Sequence, residues 1–122
     1  ACVESDFTGD LLVNELTVPI PPARIDQARA AAGVLGAQIA GKLPFVPGAR
    51  ALSDSPVELV LNNTWRPTLA VTGAAGLPLM ENAGNVLLPR LELKLSFRLP
   101  PSADADAAAA AVKKRLEADP PY

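Results

Sequence analysis

The sequence predicts an α+β fold, an antiparallel sheet with helices packed on one face in the manner of a ferredoxin-like domain. Three observations predict it. Residues 90–99 alternate apolar and polar without exception, an alanine-rich segment with a capping residue follows directly, and apolar positions between Ile25 and Ile39 recur at steps of three and four. Alternation of this kind is the mark of a half-buried strand, and the three-and-four spacing is that of one helical face. The chain's 122 residues are enough for one core and too few for two.

Taken in order, Ile25, Ala28, Ala32, Leu35 and Ile39 line one face of a helix predicted over residues 23–40. Pro21 and Pro22 suit its entrance, where a missing N–H is harmless, and Gly41 before Pro44 suits its exit. Gly33 and Gly36 fall inside, each costing up to about 1 kcal/mol relative to alanine, so the helix must lean on tertiary packing or admit another backbone closely. Residues 44–56 are rich in turn formers and predict a connecting loop. Residues 57–62 (VELVLN) and 64–73 (TWRPTLAVTG) read as short strands, with Pro67 acceptable at an edge or bulge, and residues 73–84 as a loop.

The strand over 90–99 sets Leu91, Leu93, Leu95, Phe97 and Leu99 on one face and Arg90, Glu92, Lys94, Ser96 and Arg98 on the other. The apolar face is expected on a core, and the polar face toward water, a ligand or a partner, since five polar side chains are not buried unpaired. Pro100 and Pro101 stop it. Ser102 or Asp104 then caps a helix running to about Ala118, with Ala105, Ala109, Val112 and Leu116 as its apolar face. Asp104 and Asp106 near its start and Lys113, Lys114 and Arg115 near its end complement the helix dipole.

Composition narrows the chemistry. With 49% hydrophobic residues, 20% charged and a net charge of −2, the chain is neither disordered nor a basic nucleic-acid binder or membrane-surface protein. There are 13 prolines, clustered at a few points where they punctuate the elements. Histidine is absent and Cys2 is the single cysteine. A Ser-His-Asp triad and a self-contained zinc site are therefore excluded, and Cys2, with no histidine to activate it, reads as a surface thiol. No run approaches the 18 apolar residues of a membrane span, and the acidic start lacks the basic region of a signal peptide, so a cytoplasmic location is expected.

The segments WRPTLAVTG (65–73), AGNVLLP (83–89) and SFRLPP (96–101), with the alanine-rich helix and its DPPY ending, resemble the lid or dimerisation domain of the zinc-dependent metallopeptidases of clan MH, family twenty. That family includes aminoacylases, carboxypeptidases and carnosinase-type dipeptidases. The resemblance covers residues 57–122, the core of the lid, while residues 1–56 look like an insertion with one helix and a proline-rich loop. It implies a fragment truncated at both ends, without the lid histidine of dimeric members, whose parent enzyme keeps two zinc ions in a separate catalytic domain. The implied partners are that catalytic domain, a second copy in a homodimer, and a peptide or N-acyl amino acid substrate.

By the same resemblance, Asn85 and Arg98 correspond to the asparagine and arginine that help bind the substrate's carboxylate or carbonyl. A guanidinium offers a planar fork of donors to a carboxylate, and an amide both donates and accepts. The plainer readings are that Asn85 tolerates an unusual φ in a Gly-Asn turn, that Arg98 is a solvated strand residue paired within the sheet, and that Trp65 is a packing anchor in its strand. At the level of function, the alternative to a catalytically silent lid is a free-standing α+β interaction module pairing through a sheet edge.

Overall fold

Prolines open the first helix as the sequence predicts, with Pro21 as N-cap and Pro22 as first residue of α1, Pro22–Leu35. The computed structural model describes residues 3–5 and 10–118, so Cys2 and the DPPY ending lie outside the described residues. The predicted helix over 23–40 is two helices. Gly36 takes φ 51° and ψ −134°, a conformation that side chains resist, and separates α1 from the short α2, Gln38–Gly41. On α1, Ala28 and Ala32 are buried and Ile25 half-buried as the spacing required, whereas Leu35 is exposed. Gly33 is open to solvent with no atom within 4 Å of where a Cβ would sit, so it admits no neighbouring backbone.

Residues 44–55 hold no helix or strand, in keeping with the expected loop. The strand expected over 57–62 is instead part of a helix, α3, Pro56–Thr64. Ser55 is its N-cap and accepts a hydrogen bond from the Glu58 backbone N–H at 3.4 Å, with Pro56 in the first position. A Ser-Pro-x-Glu start is a helix N-terminus signature, and it prevails over the β preference of two valines. Within α3 the spacing from Val57 to Leu61 places Leu61, 4% exposed, in the core.

Strand β1, Thr68–Ala75, begins immediately after Pro67, later than expected, because residues 64–67 close α3 and turn the chain. It pairs antiparallel with β2, Glu92–Arg98, to give a two-stranded sheet among the described residues. Thr68 pairs with Arg98, Ala70 with Ser96, and Gly73 with Lys94, with a register irregularity between Val71 and Gly73 that leaves Thr72 as an extra residue. The connection over residues 76–91 contains a 3₁₀ turn, Met80–Asn82. Gly76, at φ 90°, starts it, and the Arg90 carbonyl occupies the place a Cβ would take.

The alternation in β2 is kept, but its apolar face is covered only in part. Leu95 and Phe97 are half-buried, while Leu91 and Leu93 are more than half exposed. Pro100 and Pro101 end the strand, and Asp104, not Ser102, caps α4, Ala105–Glu117. Its carboxylate accepts hydrogen bonds from the backbone N–H groups of Asp106 and Ala107, both at 3.0 Å. The inward face of α4 is offset from the expected one. Ala108 is buried with Ala111 and Val112 half-buried, whereas Ala105, Ala109 and Leu116 are exposed. Because several alanines run together, apolar spacing alone did not select among faces one residue apart.

Two compact units result: the hairpin Thr68–Arg98, and a helical unit drawn from the residues before and after it. In the helical unit α1 packs on α3, and α4 on a 3₁₀ turn, Asn14–Leu16. Its core joins Val13 and Leu16 to Ala28, Ala32, Leu61 and Ala108. No helix among the described residues is long and apolar enough to cross a membrane.

Candidate functional site

Arg98 is the last residue of β2 and faces Thr68 at the open end of the hairpin. Strand alternation places Ser96, Lys94 and Glu92 on the same face. Their partners on β1 are Thr68, Ala70, Gly73 and Ala75, so this face is a floor of small residues from which only the side chains of β2 rise. Glu92 is engaged by Arg90 in an ion pair. It lies six residues from Arg98, about 20 Å along the strand.

The Arg98 guanidinium makes no hydrogen bond or ion pair among the described residues and is exposed. Pairing within the sheet therefore does not account for it. Five N–H donors in a fixed fork, with none engaged, are what two-point binding of a carboxylate requires. Lys94 and Ser96 add a second cation and a hydroxyl to the face, and the two-residue spacing that located Arg98 in the sequence locates them as well.

Asn85 sits in an exposed bend of the connection between the strands. It does not have a positive φ, nor does any other non-glycine residue described, so the tolerance of asparagine for left-handed backbone is not why it occupies this turn. Its amide is directed by no hydrogen bond among the described residues. Arg98 and Asn85 thus belong to one hairpin, Arg98 at the end of β2 and Asn85 in the connection, and no hydrogen bond joins them.

Trp65 is the C-cap of α3 and half-buried; it is not a strand residue, as its place beside Pro67 had suggested. Its N–H closes the last helical turn onto Leu61. Arg66 beside it donates to Asn62 and pairs with Glu58 at 2.7 Å, which ties the end of α3 back to its first turn. The basic triplet from Lys113 to Arg115 lies on the exposed side of the end of α4, where Lys113 approaches Glu117 at 4.0 Å. No three acidic, cysteine or histidine side chains come together among the described residues, and the chain has no histidine, so the described donors do not fit a zinc centre.

A family model described as peptidase dimerisation domain matches residues 16–122. No curated protein matches the sequence. Among solved structures, the crystal structure of human carnosine dipeptidase 1 is similar to this chain, with a TM-score of 0.69 and 22% sequence identity. That likeness covers 95% of this chain and 25% of the dipeptidase, so the chain spans about a quarter of the length of the solved structure it matches.

Proposed function

The chain belongs to the peptidase dimerisation domain family, and from this we propose that it is the lid of a larger di-zinc amide hydrolase that acts as a homodimer. In this reading the zinc ions are held by the parent's catalytic domain, where they supply Lewis acidity and an activated water for attack on an amide carbonyl. The residues of the lid bind and orient the substrate. Arg98 takes the substrate's carboxylate, Asn85 its carbonyl or carboxylate, and both are supplied to a site completed by the catalytic domain or by the second subunit. Closure of the lid excludes water and fixes the scissile bond.

The observation that carries the reading is the Arg98 guanidinium, exposed and unengaged above a floor of small residues in a domain of this family. The likeness to a carnosine dipeptidase favours a dipeptidase or carboxypeptidase among the amide hydrolases. Pairing of subunits is supported by the hairpin itself, since among the described residues each strand of the two-stranded sheet has an outer edge with no strand paired to it.

The test is made in the full-length protein. Arg98→Ala is expected to raise KM at least about tenfold for dipeptides with a free C-terminal carboxylate, the loss of one charge-assisted contact. The corresponding dipeptide amides are expected to be hydrolysed as before. Arg98→Lys, which keeps the charge and loses the fork, falls between. An unchanged KM for the free dipeptide would remove Arg98 from the substrate site, and a full-length protein without zinc-dependent amidase activity would turn the reading toward an interaction module.

A further inference from the structure

A cleft of about 470 Å³ opens in the helical unit between α2, the loop after it and α3. Its apolar wall is built from Ile39, Leu43, Phe45, Leu52 and Leu59. Leu43, Phe45 and Leu52 are all more than 40% exposed, so water is held against apolar surface that a ligand would relieve. The volume is in the range of small-molecule sites.

The polar part of the lining is Arg50, Asn62 and Asn63, with no carboxylate among them. The Arg50 guanidinium makes no hydrogen bond or ion pair among the described residues. Asn62 uses its side-chain oxygen to accept from Arg66, which leaves its amide N–H₂ group to donate. Asp10 and Glu58 line an adjoining recess that shares Arg50, Leu52 and Asn62 with the cleft, and Glu58 is already paired with Arg66. A second adjoining recess, which shares Phe45, Ala51 and Leu59, carries Asp54. The apolar cleft itself therefore presents one unengaged cation and amide donors and no carboxylate in its own lining, with the acidic groups set in the recesses beside it.

We propose that this cleft binds a medium-chain aliphatic carboxylate, its chain against Leu43, Phe45, Leu52 and Leu59 and its carboxylate on Arg50. Both halves of the ligand are set by the lining. An uncharged chain would leave Arg50 unanswered, and a short carboxylate such as acetate would leave the apolar wall wet. The site shares no residue with the hairpin face that carries Arg98.

The probe is sodium octanoate, titrated into the ¹⁵N-labelled chain and followed amide by amide, with octan-1-ol and sodium acetate as comparisons. The expected result is a saturable shift confined to residues 39–45, 50–52 and 59–63, with octanoate bound at least about tenfold more tightly than octanol, the gain of one charge-assisted pair. Arg50→Gln, a change at an exposed loop residue, is expected to abolish that preference, and Arg50→Lys to keep part of it. Equal binding of octanol and octanoate, an unaltered preference in Arg50→Gln, or shifts spread equally over exposed hairpin residues such as Leu77 and Leu87 would each overturn the proposal.

Discussion

Gly76 is the residue at which the hairpin tolerates least. Its φ of 90° lies where L side chains are strained, and a Cβ added there would be driven into the carbonyl of Arg90, at the end of the connection that leads into β2. Both partners are backbone, so neither yields by a change of rotamer. Gly76→Ala is expected to cost about 1–3 kcal/mol, read as faster amide exchange across β1 and β2. Asp104 is a different kind of single-residue dependence, since its carboxylate serves two of the free N–H groups of α4. Asp104→Ala is expected to lower stability by about 1 kcal/mol in denaturant unfolding, with Asp104→Asn losing less. Ser102→Ala, next to the proline pair but outside the cap, is expected to change nothing measurable.

At the scale of elements, the contact of α1 with α3 decides whether the helical unit holds. Leu61 is the large buried side chain of α3, and the buried residues of α1, Ala28 and Ala32, are too small to fill a vacancy. Leu61→Ala is expected to cost about 2–4 kcal/mol, whereas Leu87→Ala, at a position 99% exposed, should stay within about 0.5 kcal/mol. Thermal unfolding of the two variants side by side checks both. The same elements show what could be read in advance. The span of β2 and the side of it that carries Arg98 follow from strict alternation, and α4 from its cap and its alanines. In α3, VELVL satisfies strand preference over a short window, while the deciding signal, Ser55-Pro56 with Glu58, lies at its edge. Apolar spacing continues across Gly36, and only its backbone angle reveals the break. How deeply each face is buried was not legible, because alternation orders the two sides of a strand without saying what covers either.

At the scale of the molecule, large apolar side chains remain outside to an unusual extent. Leu77, Leu79, Met80, Val86 and Leu87 in the hairpin connection are each more than 60% exposed. On the lid reading proposed above, surface of this kind is where another protein body would sit. The chain is therefore expected to associate with increasing concentration, with a midpoint of thermal unfolding that rises with it. Sedimentation velocity from low to high micromolar concentration checks this, and a single monomeric species throughout would contradict it. The pairing of Thr68 with Arg98 has a consequence of its own. It brings the two points at which the chain enters and leaves the hairpin to within about 5.5 Å, the spacing of one antiparallel pair. Chain topology thus makes residues 68–98 a cassette: cut out and replaced by a two-glycine bridge from Pro67 to Leu99, it should leave a helical remainder that closes without strain, and the same seam could receive a hairpin of different length or with a different set of side chains on its polar face.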